Sequence, residues 1–434
     1  MRKQILRDPG YQNACLSNPS PHDIYLAPKR QDWDQGAACD GTKMDFFKYV
    51  NVEPSEKRND PEEKRNPLRN TAKLAQLIDA GQISFGGEST DDRIYRSMMM
   101  TKLNVVAKSD GGPRPAANVH PLRKLGTLLN FSESVKGQCA THMGSRNNFS
   151  FGARSANDTI PIGFQMELEE SKFQRSILSA DQVNGYNEID RSAIEIGLRE
   201  AYTTEETKFI RQRFYRWHKK DTVMVHVDGS GTPHDIKWTT GVQQGNFSSN
   251  YEHGIGQEVA IARVRERFKR YGVEEKLFAD DLRVSAGNGL RVKCEDHPEI
   301  VPFKDGAKTM PFPVAYILTL RYHLHEIGLS ISLRDKPDGK GHKNFVTFFE
   351  VPDNLDLEEY GDTKGEHLKV KFGGLVIQGS PVGGQGYRAA ELRKIITSVQ
   401  EVNSLVEGAP SLQIKAGLHQ ICGGANVINH VMRT

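Results

Sequence analysis

Three aspartates carry the most specific chemistry this sequence could do. Asp181 closes the apolar run Ser176-Ile-Leu-Ser-Ala-Asp181, and Asp280 and Asp281 stand side by side within Lys276-Leu-Phe-Ala-Asp-Asp-Leu-Arg-Val-Ser-Ala286. Phosphoryl transfer with two divalent metals needs a few carboxylates on rigid backbone. They must hold ions about 3.5 to 4 Å apart against the attacking and leaving oxygens. Adjacent acids at a buried hairpin repel in reduced dielectric unless a cation neutralises them. The competing account is a solvated turn, where Asp is common for its own reasons. For an Asp-Asp pair taken alone, that plainer account is the commoner case.

The flanking segments predict how these acids are held. Residues 176–181 read as a short buried strand, Asn184-Gly185 turns the chain, and Ile189, Ala193, Ile194, Ile196, Gly197 and Leu198 follow helical spacing. Apolar arms on both sides of Asp280-Asp281 predict a hairpin with the acids at its tip. Val314 to Ile327 reads as a helix that stops at Gly328, a residue suited to a C-terminal cap. Upstream, helical spacing begins at Thr71 with Ala72, Leu74, Leu77 and Ile78. Residues 1–70 are rich in Pro, Asn, Asp, Lys and Arg and are expected to form an extended or disordered leader.

The order of six blocks gives the acids a context. They are Lys108-Ser-Asp-Gly-Gly-Pro-Arg-Pro115, Asp181-Gln-Val-Asn-Gly-Tyr-Asn187 with Arg191 entering a helix, Thr240-Gly-Val-Gln-Gln-Gly245, Phe278-Ala-Asp-Asp281, Gly328-Leu329 with Lys336, and Gly373-Gly-Leu-Val-Ile-Gln-Gly-Ser-Pro-Val-Gly383. In that order the chain resembles the reverse transcriptases of non-LTR retrotransposons and group II introns, from about residue 95 onward. Gly-Val-Gln-Gln-Gly and Phe-Ala-Asp-Asp are the specific blocks. The chain departs from the family where Asn246-Phe-Ser-Ser249 replaces Asp-Pro-Leu-Gly, where Gly185 replaces Ala, and where Ser332 replaces Asn.

The resemblance implies an α+β polymerase right hand, with an antiparallel palm sheet backed by helices, fingers, and at most a partial helical thumb. The expected divisions are fingers and the start of the palm over 71–175, palm over 176–385, and the start of a thumb or connection over 386–434. It implies RNA-directed DNA synthesis by a retroelement enzyme, from an RNA template, a DNA primer and deoxynucleoside triphosphates. Asp181 and Asp280 would hold two Mg²⁺ or Mn²⁺ ions, with Asp281 supporting the hairpin or sharing a metal. Lys108 and Arg114 would grip the triphosphate, suiting a point charge and a forked donor. Tyr186 would exclude a 2′-hydroxyl, Gln244 and Gly245 would border the nucleotide, and Lys336 would protonate the leaving pyrophosphate. Two alternatives stand: a catalytically inactive scaffold of this type binding RNA or protein, and an RNA-directed RNA polymerase, which typically carries Gly where Ala279 precedes the acids. No thumb of usual length, endonuclease or RNase H follows Thr434, so a fragment or a degraded element copy is also expected.

Charge elsewhere is local. Of the 434 residues 26% are charged and 37% apolar, and a net charge of +3 does not by itself imply nucleic acid. The run Lys208 to Lys220 packs six basic and four aromatic residues into thirteen positions. Arg211, Arg213, Arg216, Lys219 and Lys220 are its candidate phosphate contacts, with stacking by Phe214, Tyr215 or Trp217. The alternative is a solvated helix face with its aromatics in the core. Arg263 to Tyr271 forms a second basic cluster. His323 and His325, two apart on a helix, point to different faces and argue against a shared metal. Five dispersed cysteines suggest a reducing compartment. No run nears the ~20 apolar residues of a membrane span, so an intracellular protein is expected, in nucleus or cytoplasm, with an organelle left open.

Overall fold

The computed structural model describes residues 21–29, 68–80, 101–107, 113–153, 155–201, 208–218, 222–228, 230–244, 246–335, 343–408 and 411. In chain order the first elements are α1 (Pro21–Lys29), α2 (Leu68–Asp79), β1 (Thr101–Ala107), β2 (Pro113–Asn118), α3 (Pro121–Asn130), α4 (Glu133–Gly144), α5 (Ala156–Glu170) and β3 (Arg175–Asp181). The short helix α6 (Gly185–Glu188) leads to α7 (Arg191–Ala201), α8 (Lys208–His218), β4 (Thr222–Val227), β5 (Pro233–Trp238) and α9 (Ser249–Phe268). Then come β6 (Glu274–Phe278), β7 (Asp281–Gly287), β8 (Arg291–Lys293), β9 (Thr309–Pro311) and α10 (Phe312–Glu326). The series ends with β10 (Phe345–Phe348), β11 (Lys369–Phe372), β12 (Gly374–Ile377), β13 (Ser380–Gly383) and α11 (Gln385–Glu407).

A five-stranded sheet of order β11-β10-β3-β7-β6 lies at the centre. Its pairs are antiparallel except β10 with β11, which run parallel and so break the all-antiparallel pattern expected for this sheet. Successive side chains of β3 point to opposite faces. Leu178 and Ala180 enter the large core built with α7, α9 and α10, while Ile177 packs with Ile160, Phe164 and Leu168 of α5 and with Leu375, Ile377 and Val382 of the β12–β13 hairpin. Both faces of β3 are therefore covered, which is why its sequence reads as an almost unbroken apolar run. The expected helix over Val314–Ile327 is α10, and Gly328 takes a φ of +79° just past its end.

A second sheet, of order β2-β1-β4-β5, carries the β1–β2 hairpin, with β1 running parallel to β4. Beside it α2 crosses α3 closely: a Cβ on Gly126 would stand 2.2 Å from the Ala75 carbonyl oxygen.

The leader expectation needs correction at α1. Ile24 and Ala27 are buried in a cluster with Leu68, Ala72, Ala75 and Leu125. Composition averaged over seventy residues concealed the apolar patch Ile24-Tyr25-Leu26-Ala27, which a long-range helix partner can bury. Residues 1–20 and 30–67 lie outside the described residues. Among the described residues no helix is long and apolar enough to cross a membrane.

Candidate active site

Strand pairing brings the three acids to one end of the central sheet. Asp181, the last residue of β3, is the Cα partner of Asp281, the first residue of β7. Asp281 also pairs with Phe278, so the β6–β7 turn consists of Ala279 and Asp280 alone. Ala279 adopts a φ of +57°. A positive φ at the first position of a two-residue hairpin suits glycine, and an alanine there costs about 1 to 2 kcal/mol. The neighbouring structure holds it: the buried Gln257 side chain of α9 donates from Nε2 to the Ala279 carbonyl at 2.7 Å.

Asp181 is fixed from both directions. Its backbone N–H donates to Asn344 Oδ1 at 2.7 Å, and Asn344 Nδ2 donates to the Ser332 carbonyl at 2.7 Å. Lys343 Nζ lies 3.4 Å from Asp181 Oδ2, and Arg283 NH1 lies 3.5 Å from Asp281 Oδ1. Burial pushes the Asp181 carboxyl up to about 6; Lys343 pulls it back, and Asp280 and Asp281 push it further up. Negative charge is thus concentrated at the sheet end, with Lys343 and Arg283 close by. Among the described residues no group of three or more His, Cys, Asp or Glu side chains is arranged to hold a metal ion as it stands. The donor set nevertheless fits a hard cation, because Mg²⁺ takes oxygen ligands, keeps waters, and is commonly held by one or two carboxylates with substrate phosphates.

The Gly-Val-Gln-Gln loop is bound to the segment that follows Asp181. Val242 N donates to the Tyr186 carbonyl (2.7 Å), Gly241 N to Ile189 (2.8 Å) and Thr240 Oγ1 to Asn187 (2.8 Å). Arg191 secures the other edge, donating from Nε to the Gly241 carbonyl at 3.1 Å and from NH2 to Trp238 at 2.9 Å. Gly241 has a φ of +67°, and a Cβ there would lie 2.3 Å from the Tyr186 oxygen, so both conformation and space require glycine. The half-buried Gln244 accepts the Ala117 N–H of β2 on its carbonyl at 2.8 Å, joining the loop to the β1–β2 hairpin. The unusual Asn246-Phe-Ser-Ser stretch closes on itself: Asn246 N donates to Gln243 O at 3.1 Å, and Ser249 Oγ to the same oxygen at 2.6 Å, at the start of α9.

Tyr186 leaves only 9% of its surface exposed. Its hydroxyl donates to Asn250 Oδ1 at 2.8 Å, and its ring stacks on His253 with centroids 4.5 Å apart. Burial, then the Asp280 charge, hold the Tyr186 phenol above its ordinary range. His253 is fully buried and, among the described residues, neither ring nitrogen has a hydrogen-bond partner; burial pushes its pKa down to about 3, so it is neutral. A Cβ on Gly185 would sit 2.9 Å from both His253 Nε2 and Gln182 Oε1. Glycine at 185 thus leaves space that these side chains approach.

The basic helix is corrected. Arg213 is 1% exposed, with Nε donating to Asp79 and NH1 to Glu252, and Arg211 is buried against Glu195. Phe214 and Trp217 are buried as well. Carboxylates inside the protein, rather than phosphates outside it, take these two guanidinium groups, and two of the three proposed stacking rings belong to the core. In the second basic run, Arg263 pairs with Glu326, Arg265 with Glu258 and Glu275, Arg267 with Glu299, and Arg270 with Asp296.

The Arg216 side chain and Lys219, Lys220, Lys108, Gly245 and Lys336 lie outside the described residues; Arg114 is placed by backbone only, opposite Val106. His323 is buried and meets Glu326. Sequence reasoning missed Lys343, Asn344, Gln257 and His253. Lys343-Asn344 had a signal, a polar pair immediately before the apolar run Phe345 to Phe349, whereas a lone Gln or His within a helix has none.

No protein-family model and no curated protein matches the chain. Among solved structures, it is similar to an apo telomerase from Candida tropicalis truncated from the C-terminal domain, with a TM-score of 0.35 and 10% identity over 52% of this chain and 49% of that one. The apo telomerase from Candida tropicalis gives 0.34 and 12% over 51% and 43%, and the telomerase from Candida albicans in complex with a fragment of telomeric RNA gives 0.34 and 10% over 46% and 39%. The matched part spans less than half the length of each of these structures. Likeness this distant carries nothing about chemistry.

Proposed function

We propose that the chain is an RNA-directed DNA polymerase of a retroelement, a right hand whose palm is the five-stranded sheet and whose fingers include the β1–β2 hairpin. The observation that carries this reading is the pairing of Asp181 with Asp281, with Asp280 in the adjoining two-residue turn and the Gly241–Gln244 loop bonded to the same segment. Asp181, Asp280 and Asp281 would hold two Mg²⁺ or Mn²⁺ ions. Such ions, when bound, lower the pKa of the primer 3′-hydroxyl and offset charge on the triphosphate. Tyr186, held by Asn250 and His253, presents its ring toward the sugar and disfavours a 2′-hydroxyl. Lys108 and Arg114 bind the triphosphate, and Gln244 and Gly245 border the template and nucleotide. Lys336 protonates the leaving pyrophosphate, and Lys343, beside Asp181, is a second candidate for that proton.

One observation favours an inactive scaffold: Lys343 already meets Asp181, an arrangement that needs no metal. Primer extension on an RNA template with Mg²⁺, comparing wild type with Asp280→Ala, separates the readings. Extension by wild type that is lost in the variant supports the polymerase. RNA binding without extension in either supports the scaffold, and faster incorporation of ribonucleotides than of deoxynucleotides points to an RNA-directed RNA polymerase.

A further inference from the structure

One buried side chain spans the two acid-bearing segments. Gln257, in the middle of α9, is 0% exposed. Its Oε1 accepts a hydrogen bond from Gln182 Nε2 at 2.7 Å, and its Nε2 donates to the Ala279 carbonyl at 2.7 Å. Gln182 follows Asp181, and Ala279 precedes Asp280. Each bond therefore acts one residue from a carboxylate, and a single amide ties both segments to the same helix.

Packing alone does not account for a glutamine here. A fully buried amide is costly unless its polar atoms are paired, and an apolar side chain of similar length would fill the space without that demand. What the amide adds is direction. Ala279 is held at a φ of +57°, a conformation that an alanine leaves readily when nothing opposes it. A hydrogen bond to its carbonyl from a rigid helix opposes that relaxation. α9 is itself seated firmly: a Cβ on its Gly256 would fall 2.6 Å from Ile194 Cγ1 and 2.7 Å from Ile189 Cδ1.

We infer that Gln257 is a positioning residue that sets the separation of Asp181 and Asp280, and through it the affinity of the site for divalent cations. The inference rests on those acids being metal ligands. Mg²⁺ demands oxygen ligands at about 2.0 to 2.1 Å in near-octahedral geometry, so a small displacement of the turn weakens the site before it unfolds anything.

Mn²⁺ titration, followed by the paramagnetic resonance signal of the free ion, reads the site without requiring turnover. Gln257→Met keeps the length of the side chain and removes both hydrogen bonds. The expected result is a loss of about tenfold in Mn²⁺ affinity, comparable to one well-formed buried hydrogen bond, together with a modest fall in the metal-free melting temperature from the Gln182 amide and Ala279 carbonyl that lose their partner. Gln182→Met, which cuts the same chain at a less buried position, should shift affinity in the same direction. The double variant should lose no more than the stronger single one, since the two act through one connection. Should Gln257→Met fail to fold, Gln182→Met alone decides the matter. Affinity that falls in Asp280→Ala but is unchanged in both Met variants overturns the positioning role and leaves the metal site standing. So does a fall in melting temperature with no change in affinity. Uptake by wild type that is indifferent to Asp280→Ala removes the metal site, and the positioning role with it.

Discussion

Replacing Asp181 with asparagine should stabilise the metal-free protein at pH 8 while abolishing nucleotide transfer. Burial raises its carboxyl from the ordinary 3.8 to about 6, with Lys343 opposing the rise and Asp280 and Asp281 adding to it. Because the folded state holds this proton more tightly than the unfolded state, it binds more protons between those two values. Stability therefore falls as pH climbs through that window, and the whole penalty stands above it. A rise of this size corresponds to at most roughly 3 kcal/mol. The side chain keeps 21% of its surface exposed, and the 3.4 Å ion pair with Lys343 is lost in the variant. Both reduce the gain to about 1 to 2 kcal/mol. In a chain of this length that moves the melting temperature upward by about 1 to 2 °C. Scanning calorimetry in a chelator from pH 4 to pH 8 checks it: the gap should be widest at pH 8 and shrink toward pH 4. Added Mg²⁺ should stabilise wild type and narrow the gap. A variant less stable than wild type at pH 8, or one that gains equally at both ends of the range, refutes the electrostatic account.

Arg213→Met should cost about 3 to 5 kcal/mol in urea unfolding, because Asp79 at 0% and Glu252 at 1% exposure would be left buried with their guanidinium partner removed. A cost below about 1 kcal/mol would show that water or another cation replaces it easily. Gly185→Ala should destabilise by about 1 to 3 kcal/mol, since the new methyl meets His253 Nε2 and Gln182 Oε1 at 2.9 Å. Combined with His253→Ala it should cost less than the sum of the two single changes; strict additivity in a thermal-melt cycle would mean that the two sites do not share this space.

Much of the local frame was legible from residue order. The apolar run ending at Asp181 became β3, the arms around Asp280 and Asp281 became β6 and β7, and Gly328 ended α10 at a left-handed φ. These features depend on side-chain periodicity and on backbone conformations that few residue types accept, and both are written within ten or so neighbours. Gly241 belongs with them, although the carbonyl that excludes its Cβ comes from Tyr186, far back along the chain.

Tertiary structure alone decided which charges meet. An arginine reads the same whether its partner is a phosphate in solvent or a carboxylate in the core, and Arg213 found Asp79, 134 residues away. It likewise decided that β10 runs parallel to β11, that α1 is buried, and that Gln257 reaches both acid-bearing segments. The sequence by itself determined which acids stand at the end of a strand and in a turn, because those placements are local. That Asp181 and Asp281 share one end of the sheet is a matter of register between strands about a hundred residues apart. Register is set by which faces can be buried together, and only the packed chain selects it.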